Sequence, residues 1–334
     1  MRKIILYIVL IVGMCFLIPL IGVHSFESVD TVAQEENVNS NENIIQETSN
    51  TEYDYREYNT IKLLHKSNGQ VEELKLDEYL YGVVSSEMPA DFELEALKAQ
   101  AIVARTYTIY KIKTAKKHEN ADICDDSTCC QAWIAKQERL DRWDENVRES
   151  NWNKIVTAVN ETKGKIITYN DEPINAFFHS NSGGMTEAPI NVWGGSGYPY
   201  LQAVATPGEE NYTQYNSEVT LTKLEFESKI KEKYPDFIID WNEEKCIEIL
   251  ERTDGNRVKT IKIGNKNLSG IEVRTLLGLR SANFEFIIEN ENIKFNVIGY
   301  GHGVGMSQTG ADSLAKQGKN YEEIIKHFYT DVEI

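Results

Sequence analysis

Glu87 is the lone charged residue in the turn Ser85-Ser86-Glu87-Met88-Pro89, and the alanine-rich stretch behind it carries Lys98 and Arg105. A single carboxylate placed just ahead of a helix is a candidate for moving one proton. Asp91, Glu93 and Glu95 follow closely, but they fall in the first helical turn, where acids complement the helix dipole. A second constellation is Gly299-Tyr-Gly-His-Gly-Val-Gly-Met-Ser-Gln308, with glycine at 299, 301, 303 and 305. Alternate glycines strip one side of an extended segment so that another chain or a ligand can approach its backbone. Tyr300, His302 and Val304, then Ser307 and Gln308, project on the other side, and a phenol, an imidazole and an amide suit a sugar site. A tight packing joint with His302 hydrogen-bonded in the core is the alternative. The glycines fit neither a phosphate loop nor G-x-G-x-x-G. In Phe177-Phe-His-Ser-Asn-Ser-Gly-Gly184, His179 and Ser180 are neighbours on a strand and point apart, and no G-x-S-x-G elbow is present. Ser180 therefore reads as part of a turn lining a groove. Finally, His118, Cys124, Cys129 and Cys130 offer four ligands within thirteen residues, enough for a tetrahedral zinc site. A disulfide from Cys124 to Cys129 or Cys130 is the competing use.

These side chains need elements to hold them. Strands are expected at 58–64 and 69–76 around Ser67-Asn68-Gly69, and Asp77 opens a short helix reaching Glu87. A helix from Phe92 to about Lys113, capped by Asp91, buries Leu94, Leu97, Ala101, Ala104 and Thr108. Lys98 and Arg105 share another stripe, two turns apart. Strands are expected at 164–169 and 174–180 around the Asn170-Asp171-Glu172 turn. Between 211 and 280 the pattern changes to helix, two strands joined through Asp254-Gly255-Asn256, and a helix with a Ser269/Glu272 capping box. The chain is read as an α+β fold with a mostly antiparallel core and helices around one groove. Residues 59–210 and 281–334 form the core, and 211–280 form a smaller inserted α/β lobe.

Ahead of the folded part, Ile4 to Val23 runs apolar for twenty residues behind Arg2 and Lys3, enough to span a bilayer with the remainder outside the cytoplasm. Residues 1–23 are expected to be an anchor; a secretory signal peptide is the competing reading, but the run is long for one and no small-x-small cleavage pattern follows it. Residues 24–58 hold nine acids against one arginine and lack the apolar surface to fold, so they read as a disordered acidic tether. The net charge of −17 repels polyanions, which argues against nucleic acid as a partner. Five cysteines in 334 residues are too few for a disulfide-stapled scaffold.

Six segments in order, SSEMPADFELEALKAQAIVARTY, CDDSTCCQAW, FFHSNSGGMTE, YPYLQAV, LGLRSANFEF and GYGHGVGMSQTGA, resemble the stage II sporulation protein D family from about residue 60 to the C-terminus. The resemblance implies a membrane-anchored lytic transglycosylase of peptidoglycan, in the mother-cell membrane facing the forespore, acting in septal wall remodelling and engulfment. It implies denuded glycan strands as substrate, and the sporulation amidase/endopeptidase P and the membrane protein M as partners. It assigns Glu87 as the acid that protonates the MurNAc–GlcNAc bond and then, as base, helps close a 1,6-anhydro ring. It also assigns Lys98, Arg105, Tyr200, Gln202 and Tyr300 to the groove. Clostridial relatives imply a structural zinc at the cysteine cluster, and no organic cofactor is implied. An inactive glycan-binding recruiter of an amidase and a hydrolytic muramidase are the alternatives.

Overall fold

The computed structural model describes residues 58–114 and 117–334, which belong to one compact unit. The expected anchor and tether lie outside these residues, apart from Tyr58. Among the described residues no helix is long and apolar enough to cross a membrane.

Strands β1 (Thr60–Leu64) and β2 (Val71–Lys75) form an antiparallel hairpin, in register from Thr60↔Lys75 to Leu64↔Val71. The chain passes directly into α1 (Leu76–Glu87), which buries Tyr79, Leu80, Val83 and Val84 at helical spacing. Pro89 disfavours helical geometry in the residue before it, and Met88 is accordingly extended (φ −119°, ψ 143°), so Glu87 is the last helical residue.

Helix α2 (Leu94–Thr114) starts two residues later than the pattern suggested. Asp91 does not cap it; the Glu93 amide instead donates to Asp312 Oδ1 at 2.6 Å, across more than two hundred residues of chain. Then come β3 (Ile123–Cys124), which pairs parallel with β1, and helices α3 (Lys136–Arg142) and α4 (Arg148–Glu161). The strands expected between 164 and 180 shrink to β4 (Thr168–Tyr169), β5 (Glu172–Pro173) and β6 (Phe178–His179). Between them the backbone bonds outside any ladder: the Asn175 amide donates to the Tyr200 hydroxyl, and the Phe177 carbonyl accepts from Met306. The short helix α5 (Pro189–Trp193) follows.

Farther on come β7 (Asn216–Thr222), α6 (Lys223–Lys233), β8 (Ile247–Arg252), β9 (Val258–Ile263), β10 (Lys266–Ser269), α7 (Gly270–Leu277), β11 (Phe284–Glu289) and β12 (Asn292–Ile298). They make two antiparallel sheets, ordered β10-β9-β8 and β11-β12-β7. The expected capping box at Ser269 and Glu272 is present. The chain ends through β13 (Met306–Ser307), parallel to β6, then α8 (Gln308–Lys316) and α9 (Tyr321–Phe328).

The fold is α+β, and apart from the short β1–β3 and β6–β13 pairs the strand pairing is antiparallel. Two hydrophobic clusters hold it. The first surrounds α2, which α1, α4, α8 and α9 pack around so completely that Gln100, Arg105, Thr106 and Thr108 are buried along with its apolar stripe. The second is built on Phe226, Ile261, Phe284 and Phe295, and draws β11 and β12 to β7.

Candidate active site

The end of α1 delivers Glu87 to the point where two cavities meet. One, of about 340 Å³, is lined by Phe92, Arg139, Trp143 and Gln214; the other, of about 1260 Å³, by Tyr107, Lys111, Trp193, Tyr198, Arg274 and His302. Ser86, Glu87, Ser180, Tyr300 and Gln308 line both. Together they exceed the ~300–1,000 Å³ of a small-molecule pocket. Among the described residues Glu87 is the only carboxylate lining either cavity.

The Ala132 amide donates to Glu87 Oε1 at 2.7 Å, and the Gln308 side-chain amide lies 3.4 Å from Oε2. Burial raises the Glu87 pKa above the usual carboxylate value, and those two donors only partly oppose it. No cation contributes. Lys98 is held by Glu95 at 2.8 Å and Glu161 at 2.7 Å. Arg105 is fully buried, donating to the carbonyls of Thr162 at 2.8 Å and Val159 at 3.3 Å, and so ties α2 to the end of α4. Neither of these expected groove residues lines the cleft. Tyr200 is likewise buried, holding the Asn175 amide, while Gln202 bonds the Pro199 carbonyl at the surface away from both cavities.

The glycine-rich segment forms the opposite wall. Gly299, Gly301, Gly303 and Gly305 all have positive φ, so the segment turns at every second residue rather than running extended. Close approach is the reason at Gly305, where a Cβ would lie 1.9 Å from the Phe177 carbonyl oxygen. Tyr300 stands 43% exposed over the cleft with the Arg280 guanidinium 5.0 Å from its ring. His302 accepts the Val304 amide on Nδ1 at 3.0 Å, and burial, with Arg274 and Arg257 nearby, lowers its pKa to about 4. It is therefore a neutral imidazole and packs 5.2 Å from the exposed ring of Trp193. Gln308 and Ser180 face the cleft, whereas Ser307 turns inward to Glu209.

Glu209 gives no signal in the sequence because it stands beside Glu210 in a short turn that belongs to no motif. It is fully buried and accepts from the Ser182 and Gly184 amides at 3.1 and 3.0 Å and from the hydroxyls of Thr206 and Thr309 at 2.7 and 2.9 Å. It thereby gathers three segments behind the cleft. Arg139, Trp193 and Arg274 also give no signal, because single residues without a motif acquire a role only when the fold assembles them; Trp143 reads in the sequence only as a packing anchor.

On one flank of the larger cavity, the ligand atoms of His118, Cys124, Cys129 and Cys130 all lie within 4.8 Å of one another. The four cysteines among the described residues are free thiols. Zinc with bonds of about 2.3 Å to sulfur and about 2.0 Å to nitrogen gives tetrahedral edges of about 3.8 Å (S–S) and about 3.5 Å (S–N). Cys129 Sγ to Cys130 Sγ is 3.9 Å, and His118 Nε2 lies 3.5 Å from Cys130 Sγ and 3.8 Å from Cys129 Sγ. Burial, helped by Lys66 and Lys117, lowers the His118 pKa and favours the neutral ring that can ligate. The donor set fits such an ion. Two residues past Cys130, Ala132 gives its amide to Glu87.

Fold and site define a class: an α+β protein whose two adjoining cavities share one acid among the described residues, with a Cys/His cluster on the flank of the larger. The family model for the stage II sporulation protein matches residues 65–169. The stage II sporulation protein D of Bacillus amyloliquefaciens is 36% identical over 332 residues, spanning 97% of this chain and 94% of the relative. That of Bacillus subtilis (strain 168) is 38% identical over 277 residues, spanning 82% and 78%. An amidase enhancer of Bacillus subtilis (strain 168) is 31% identical over 301 residues, spanning 75% of this chain and 39% of its own. The chain belongs to the stage II sporulation protein D family.

Proposed function

We propose that the protein is a lytic transglycosylase that cuts denuded peptidoglycan strands between MurNAc and GlcNAc, in septal wall remodelling and engulfment during sporulation. The observation carrying this reading is the solitary, burial-raised carboxylate of Glu87 at the junction of the two cavities. Hydrolases that retain or invert need a second Asp or Glu as nucleophile or water activator. A transglycosylase needs one group that gives a proton and takes one back.

Ala132 N–H donates to Oε1 at 2.7 Å and Gln308 Nε2 donates to Oε2 at 3.4 Å, so Oε2 is the more weakly held oxygen and the one assigned the proton in this reading. Oε2 protonates the bridging oxygen as the C1–O bond breaks. The carboxylate then takes the proton of the muramoyl C6 hydroxyl as that oxygen bonds to C1, closing the 1,6-anhydro ring and restoring the acid. No water is consumed. Ser180, Tyr300, His302 and Gln308 would hold the sugars on either side. His118, Cys124, Cys129 and Cys130 would hold zinc in a site closed by four protein ligands, where the ion supplies structure rather than Lewis acidity. An N-terminal membrane anchor, display toward the forespore, and work alongside the sporulation amidase/endopeptidase P and membrane protein M complete the reading.

Glu87→Gln is expected to abolish anhydro-muropeptide release from denuded strands while strand binding stays within about twofold, read by mass spectrometry of digests and by pull-down on the polymer. Undiminished anhydro products from that variant would refute the assignment. The relative named as an amidase enhancer favours a second reading, a glycan-binding recruiter without activity of its own. Unchanged strands after wild-type digestion would support it, and reducing ends that have gained water would mark a muramidase.

A further inference from the structure

The chain carries a net charge of −17, yet its larger cavity is lined by Lys111, Lys117 and Arg274 against the single acid Glu87. Two of these cations are occupied. Lys117 donates to the Cys129 carbonyl at 2.9 Å, and Lys111 sits 5.0 Å over the Tyr107 ring. Arg274 differs. It projects from α7 and is half-buried; its backbone carbonyl accepts the Leu279 amide at 2.9 Å, but its guanidinium forms no ion pair or hydrogen bond with any described residue. Glu187 lies on the neighbouring small cavity, but its carboxylate is taken by Thr253, by Asn191 at 2.7 Å and by the adjacent Arg257. Beside Arg274 stand the Tyr300 side chain and the neutral His302 ring, and neither is a carboxylate. A guanidinium drawn partly out of water without an acceptor is costly, and its planar fork fits a carboxylate in two parallel bonds.

We propose that Arg274 determines specificity by receiving the free lactyl carboxylate of a muramoyl residue from which the stem peptide has been removed. This rests on the reading of the cleft as a glycan-cutting site. In a peptide-bearing strand the same carbon is an amide, which is uncharged and cannot fill both arms of the fork. Arg274 thus reads whether an amidase has already acted, which places the protein after peptide removal.

The test uses the full chain in a Glu87→Gln background, so that affinity is measured without turnover. The ligands are denuded strands and the same strands with their lactyl carboxylates capped as methylamides. Glu87→Gln is expected to bind denuded strands about 10- to 100-fold more tightly than capped ones, the range of a charge-assisted pair. Adding Arg274→Gln should erase that difference by weakening only the denuded ligand, and Arg274→Lys should restore part of it. Equal affinities before Arg274 is changed, or an equal loss on both ligands, would overturn the proposal. Absence of anhydro ends from wild-type digestion would instead overturn the transglycosylase reading and leave this binding result standing on its own.

Discussion

At the scale of the residue, the same burial that readies Glu87 as an acid works against the fold. Its pKa is raised in the folded chain, so protonation favours folding. That contribution is fully present below the unfolded value of about 4.3 and is lost as pH rises through the folded value. Glu87→Gln should therefore be more stable than wild type, by a margin that opens as pH climbs above about 4.3 and levels off beyond the folded pKa. Denaturant titrations at a series of pH values measure it; a constant margin at all pH values would contradict it. The activity profile should lose its high-pH arm through Glu87 alone. His302, already neutral above about 4, should add no histidine limb near neutrality.

Individual elements show how tightly the acid is positioned. Gly82, on α1, faces the segment that carries Ala132: a Cβ there would lie 2.2 Å from Trp133 Nε1 and 2.7 Å from the Ile134 carbonyl. Gly82→Ala should push that segment outward, cost about 1–3 kcal/mol, and lower kcat more than it raises KM, because the Ala132 amide leaves Glu87. A melting curve with steady-state kinetics decides; unchanged kcat would mean the segment does not position the acid. Chelation should act on the same segment from its other end. On the zinc reading proposed above, removing the ion that Cys129 and Cys130 would hold is expected to speed hydrogen exchange at Ala132 while the exchange of buried α2 amides stays unchanged. The helices α1, α2, α6 and α7 were legible in the sequence because apolar spacing and the Ser269/Glu272 pair are local signals. The interiors of 164–180 were not, since their apolar alternation mimics a strand while their backbone partners are the Tyr200 hydroxyl and Met306, far along the chain. Lys98 and Arg105 share a helical stripe as expected, but which neighbour faces that stripe depends on α4, which periodicity cannot place.

For the molecule as a whole, one side chain fastens the second hydrophobic cluster to the cleft. Arg257, just ahead of β9 and 4% exposed, donates to the carbonyls of Ser182 at 2.9 Å and Met185 at 3.1 Å, with its guanidinium seated where any Gly303 side chain would be. Arg257→Ala is expected to destabilise the protein by about 3–5 kcal/mol, since buried carbonyls and Glu187 lose their partner. Chemical denaturation should show a lower midpoint, and a midpoint equal to wild type would remove Arg257 from this role. The buried hub at Glu209 has a different consequence. Its donors come from Ser182 and Gly184, from Thr206, and from Thr309, so the chain must be made past residue 308 and include Thr309 before the hub can close. A polypeptide still emerging from the ribosome holds Glu87 early but lacks the wall opposite it. The cleft is thus withheld until translation is nearly over, a delay written into the order of the residues.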